Sequence, residues 1–166
     1  RRHGPAAYSA VGRVQGGVDG PLGAAGRAAV RGWRLPPGLR DADWVSSPLG
    51  RARETAILLG GREPAIEPPI IEMDWGRWEG RRLDELRREL GRAMTDNEAR
   101  GLDFRPPDGE SPRDVQARVA PRLAALGQRR PPTLAVTPPG VIRAAFAPAL
   151  ARALARAPPG PRRPRA

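Results

Sequence analysis

Arg2-His3-Gly4-Pro5-Ala6-Ala7-Tyr8-Ser9 opens the chain and holds the only histidine among its 166 residues. A lone histidine most often serves structure, packed on an apolar helical face. His3 stands instead between a permanently charged guanidinium and a glycine, at the head of a segment studded with proline and glycine. That is the setting of a nucleophile meeting an anion, because imidazole is neutral and nucleophilic near pH 7 while the guanidinium holds charge at any pH.

Moving outward, residues 21 to 33 carry Leu22, Ala25, Ala29 and Val30 at helical spacing and predict a helix ending before Leu35-Pro36-Pro37-Gly38. Asp43-Trp44-Val45-Ser46 is short, apolar and β-branched, the pattern of a buried strand. It runs into Ser46-Ser47-Pro48-Leu49-Gly50-Arg51-Ala52-Arg53-Glu54-Thr55-Ala56, which predicts a strand end, a serine cap and a helix. Polar donors and an arginine at a helix N-terminus suit an oxyanion. Ile57, Leu58 and Leu59 are expected to anchor that helix to the sheet, with Gly60-Gly61 ending it.

Residues 65 to 71 predict an edge strand closed by prolines, leading to Glu72-Met73-Asp74-Trp75-Gly76-Arg77-Trp78-Glu79-Gly80. Read alone, Glu72, Asp74 and Glu79 are as compatible with surface charge as with chemistry. Leu83, Leu86 and Leu90 then mark an ordinary amphipathic helix. Residues 92 to 110 are polar and broken by Pro106-Pro107-Asp108-Gly109, as in a lid or connector with a short helix. Ser111-Pro112-Arg113-Asp114 is a helix start, with a serine cap, proline at the first helical position and an acid at the third. Val115, Val119, Leu123 and Leu126 give its buried face, and Pro121 is expected to kink it. Thr133-Leu134-Ala135-Val136-Thr137 predicts another buried strand, followed by Pro138-Pro139-Gly140-Val141-Ile142-Arg143.

The net charge is +11, and its location matters more than its size. Every basic residue is arginine. Residues 1 to 114 hold 19 of them against all 18 acids, whereas residues 115 to 166 hold the other 10 and no acid. Arginine without lysine, beside 21 prolines and 20 glycines, is the composition of a GC-rich coding sequence. Nucleic-acid patches mix both cations and add aromatics, so a nucleic-acid partner is not the leading expectation, and an arginine-rich polyanion binder acting through the tail ranks last among the functional readings. The absence of cysteine excludes disulfides and thiolate metal sites, and a single histidine argues against zinc or haem. No signal peptide or membrane span is apparent, which makes a cytoplasmic protein without membrane contact the expectation. The length suits one domain, assigned to residues 1–157, with a disordered basic tail over residues 158–166.

Four stretches in this order, around Arg2-His3-Gly4, Ser46 to Ala56, Glu72 to Gly80 and Pro138 to Arg143, resemble the histidine phosphatase superfamily, the phosphoglycerate-mutase-like proteins. The resemblance covers residues 2 to 145. It implies a three-layer α/β fold, a mostly parallel sheet with helices on both faces. In the family the Arg-His-Gly triad follows a hydrophobic strand, and only Arg1 precedes it here, so the first strand is expected to be truncated.

By that resemblance His3 is the nucleophile that forms a phosphohistidine, Arg2, Gly4 and Arg51 bind the phosphate, and Glu72 is the proton donor. No metal or cofactor is required. The family carries a second histidine where this chain has Pro138, and proline offers neither imidazole nor N–H to a phosphoryl oxygen. Ala6 and Ser9 also stand where the family has threonine and asparagine. Two functional classes therefore stay open. One is a phosphomonoesterase acting on a small phosphorylated metabolite and impaired by Pro138. The other is a catalytically inactive member that binds phosphorylated ligands or a protein partner.

Overall fold

The computed structural model describes residues 12–39 and 41–146. Its centre is a parallel sheet ordered β2-β1-β3, from Ala65–Ile66 (β2), Asp43–Ser46 (β1) and Thr133–Val136 (β3). Asp43 pairs with Thr133 and Ser46 with Val136, while Val45 faces Ala65 across the other edge. Parallel strands need crossovers, and the helices supply them. The helices are Ala24–Arg31 (α1), Gly50–Gly60 (α2), Leu83–Leu90 (α3), Arg92–Glu98 (α4), Pro112–Gly127 (α5) and residues 139–146 (α6).

The layering follows from the two-residue period of β1, which sends consecutive side chains to opposite faces. Trp44 packs with Ala42, Ala52, Ala56, Leu134 and Val136, on the side of α2. Val45 packs with Ile70, Val115, Val119, Val141 and their neighbours, on the side of α5 and α6. Helices thus cover both faces of the sheet, as the three-layer expectation requires. A third apolar cluster, Trp78, Leu86 and Met94 with Phe104 against it, ties α3 and α4 to the loop after Glu72.

Three local expectations are corrected. The face of α2 that meets the sheet is Ala52, Thr55 and Ala56, whereas Ile57 is 36% exposed. Small side chains let the helix lie close over the Trp44 ring, and of the aliphatic run Leu59 packs against this cluster as expected while Ile57 points outward. The strand expected over residues 65 to 71 stops at Ile66, because Pro68 and Pro69 offer no N–H to a ladder and start a 3₁₀ turn, Pro68–Ile70. Finally, the N-cap of α2 is Leu49, not a serine, and makes no side-chain cap bond. The first-turn N–H of Gly50 donates instead to the Asp19 carboxylate at 2.5 Å, so the cap comes from a distant loop.

Other signals hold. Gly61, at φ 66°, ends α2 in the left-handed region. Ser111 and Asp114 form the reciprocal capping box of α5. That helix continues through Pro121 to Gly127, and Pro121 is exposed, so the carbonyl it leaves unbonded can face water. The expected connector contains α4 and a 3₁₀ turn, Gly101–Asp103.

Candidate active site

The C-terminal ends of parallel strands gather loops at one edge of a sheet, where α/β proteins bind ligands. Here β1 delivers the Ser47-to-Arg51 turn, the segment after β2 delivers Glu72, and β3 delivers Thr137 to Gly140. Arg2, His3 and Gly4 lie outside the described residues.

Arg51 is 1% exposed, an unusual place for a guanidinium. Two of its nitrogens donate to the carbonyls of Val18 (3.2 Å) and Gly16 (3.0 Å), and Asp19 lies 3.6 Å away. Its Nε finds no acceptor among the described residues. Burial lowers the Arg51 pKa from its ordinary value, against the pull of Asp19, Glu72 and Glu79. The group is thus a buried cation with a donor to spare at a helix start, fit to bind an oxyanion.

Glu72 is 6% exposed. Its two oxygens accept the N–H groups of Met73 (2.9 Å) and Gly140 (3.2 Å), the second lying in the first turn of α6. A Cβ at Gly140 would sit 1.9 Å from the Glu72 Oε1 atom, so any side chain there would push the carboxyl out of this position. Burial raises the Glu72 pKa, and the two N–H groups, Arg143 and Arg51 only partly offset that effect. A carboxyl that keeps its proton above the usual carboxylate range can act as a general acid.

The raised pKa has a consequence for stability. The folded chain holds this proton more tightly than the unfolded chain, so Glu72 makes stability fall as pH rises from the ordinary glutamate value through the folded one. Glu72→Gln cannot ionise, and its Tm relative to the parent is therefore expected to increase as pH rises from about 4, the ordinary glutamate range, toward neutrality. Parallel Tm curves across that range would refute the raised pKa.

Position 138 is buried at the entry to α6, and the Pro138 carbonyl accepts the Ile142 N–H at 3.3 Å. The structure thus brings Arg51, Glu72 and the 138–140 turn to one edge of the sheet.

Two supporting residues, Arg118 and Glu110, have no role in the sequence reading, and a third, Glu79, is left open there between surface charge and chemistry. Arg118 of α5 donates to the carbonyls of Pro69 (2.6 Å), Ile71 (3.0 Å) and Glu72 (3.1 Å), and also to Glu110 at 2.7 and 2.9 Å. Glu110 in turn accepts the Asp74 N–H at 3.1 Å, so this pair clamps the backbone on both sides of Glu72. Burial would raise the Glu110 pKa, but the bonds from Arg118 and Asp74 outweigh it and hold the carboxyl below its ordinary value. Glu79 accepts the N–H groups of Gly17 (2.9 Å) and Val18 (3.3 Å), fixing the loop whose carbonyls hold Arg51. The one available signal was the arginine four residues after Asp114 on the expected helix. Nothing in the sequence showed that it faces the carbonyls of another loop.

Two spaces meet at Glu72. One is a cleft of about 420 Å³ whose lining includes Asp74, Glu79 and Glu110. The other is a cavity of about 360 Å³ with a largely apolar lining. Among the described residues no cluster of three or more acids or histidines could hold a metal ion, and no helix is long and apolar enough to cross a membrane.

Together these features make an α/β domain with a buried arginine and a buried glutamate of raised proton affinity at the C-terminal edge of its parallel sheet. The particular family is shown by comparison: residues 1–161 match the histidine phosphatase superfamily (branch 1), and the chain belongs to it. It is 34% identical over 128 residues to the probable phosphoglycerate mutase GpmB of Citrobacter koseri, covering 75% of this chain and 60% of that protein. The chain thus spans about three-fifths of the length of that curated relative.

Two solved structures are similar. The phosphoglycerate mutase from Thermus thermophilus superposes with a TM-score of 0.70 at 34% identity, covering 86% of this chain and 78% of its own. The mycobacterial glucosyl-3-phosphoglycerate phosphatase, in complex with VO3, gives 0.76 at 29% identity, covering 95% and 80%.

Proposed function

We propose that this chain is a phosphomonoesterase that transfers the phosphoryl group of a small phosphorylated metabolite to His3 and then to water. The observation that carries the reading is Glu72. It is buried, has a raised proton affinity, lies in the electrostatic field of Arg51 and Arg143, and faces the first turn of α6. Membership of a superfamily whose similar proteins are named mutases and a phosphatase supports phosphoryl transfer as the reaction class.

In this reading neutral His3 attacks phosphorus while Arg2 and Arg51 bind the equatorial oxygens, supplying most of the positioning and charge stabilisation the transfer needs. The P–O bond to the alcohol breaks as the Glu72 carboxyl gives its proton to the leaving oxygen. The carboxylate then takes a proton from water, whose oxygen attacks the phosphohistidine and releases inorganic phosphate.

The missing histidine gives the test. Position 138 lies in a buried turn two residues before the N–H that Glu72 engages, and in this reading a donor there faces the phosphate. Pro138→His is expected to raise kcat on small phosphomonoesters about tenfold, or roughly 1.4 kcal/mol of transition-state stabilisation. The gain should vanish in an Arg51 variant. A folded Pro138→His protein with unchanged kcat and unchanged vanadate affinity would refute the pocket and favour the inactive, ligand-binding alternative.

A further inference from the structure

The cavity of about 360 Å³ beside Glu72 is a separate feature of the same site. Its walls include Trp75, Leu102, Phe104 and Val115, and its only charged groups among the described residues are Glu72 and Arg143. Trp75 and Phe104 meet edge to face with centroids 5.8 Å apart, which makes that wall a fixed aromatic surface.

Building on the phosphatase reading, we infer that this cavity receives the organic part of the substrate, and that the preferred substrates are phosphomonoesters of apolar alcohols with an aryl or branched alkyl group. The leaving oxygen must lie within hydrogen-bond reach of Glu72 to take its proton, so the carbon skeleton attached to that oxygen extends into a space bordered by Glu72. Two such spaces are formed among the described residues. The cleft lined by Asp74, Glu79 and Glu110 carries three carboxylates, of which only Glu110 is paired with an arginine, Arg118, among the described residues, and its excess of negative charge repels an already anionic ester. The other space is apolar and has a cation at its border.

Polarity narrows the class. A sugar or a glycerate would bring several hydroxyls or a carboxylate against Trp75, Leu102, Phe104 and Val115, with only Glu72 and Arg143 at the border to meet them as charged groups among the described residues. An aryl or branched alkyl group loses nothing there and removes apolar surface from water. The volume falls within the range of small-molecule pockets.

The test compares the affinity of benzylphosphonate with that of methylphosphonate, two non-hydrolysable probes, by calorimetry on the parent chain. Benzylphosphonate is expected to bind at least about tenfold tighter. Leu102→Asp should bring the ratio close to one, and the milder Leu102→Ser should reduce it at least threefold if the aspartate variant fails to fold. In turnover, benzyl phosphate should exceed 3-phosphoglycerate in kcat/KM by a similar factor. Equal affinity for the two phosphonates, with both still displaced by vanadate, overturns the cavity assignment and leaves the phosphatase reading standing. No affinity for either phosphonate overturns both.

Discussion

His3→Ala is expected to abolish phosphomonoester turnover, a loss of at least about 10⁴-fold in kcat, as for removal of other covalent nucleophiles. The reason is chemical inventory. The chain has one histidine and no cysteine, so no second imidazole or thiolate can take over the phosphoryl group. Quenching the reaction in base with labelled substrate should trap acid-labile phosphate on the parent and none on His3→Ala. The variant should keep its Tm close to the parent value, which separates loss of the nucleophile from loss of the fold. Labelling that survives the substitution would move the nucleophile elsewhere. Full turnover without labelling would remove the covalent intermediate.

The sheet was legible from the sequence because its strands are short runs bounded by turn residues. Asp43 to Ser46 and Thr133 to Val136 appear where the short apolar runs placed them, and Ser111 to Asp114 builds the cap its pattern announced. What stayed hidden depends on contacts between distant segments. The cap of α2 is Asp19, 31 residues away from Gly50 in sequence. No local pattern encodes such a partner, and the serines beside the helix suggested a nearer one. Within the aliphatic run Ile57 to Leu59 only Leu59 meets the sheet-side cluster and Ile57 is exposed, since the sheet-facing stripe of α2 is set by how closely its backbone passes Trp44.

At the site the same division holds. Glu72 and Arg51 were readable through the family resemblance, and the structure gives both a physical context, burial with backbone partners. The clamp of Arg118 and Glu110 was not readable, because it acts on main-chain carbonyls of residues 69, 71 and 72, which carry no side-chain signature. The separation of an acidic cleft from an apolar cavity at Glu72 was equally invisible. It arises where Leu102 and Phe104 of the connector fold over the loop that begins at Glu72.

Arg51→Met is expected to have two effects that differ in origin. The first is on stability. The substitution leaves Asp19 without its cation and the carbonyls of Gly16 and Val18 without their donors, at a position 1% exposed, and should cost about 3 kcal/mol. The second is on chemistry. Losing one of the two proposed phosphate-binding guanidiniums should lower kcat/KM by about 10²- to 10³-fold and weaken vanadate binding in parallel. A purely structural role predicts the first effect alone, once rates are measured at a temperature where the variant is folded. A further readout distinguishes the two. Arg51 favours the charged form of Glu72, so its removal raises the Glu72 pKa further, and the alkaline limb of the rate profile should move to higher pH. Arg51→Lys restores the charge without the planar fork. It should return that limb toward its parent position while recovering only part of kcat/KM. An unshifted limb in Arg51→Met, with vanadate affinity intact, would confine Arg51 to holding the 16–18 loop.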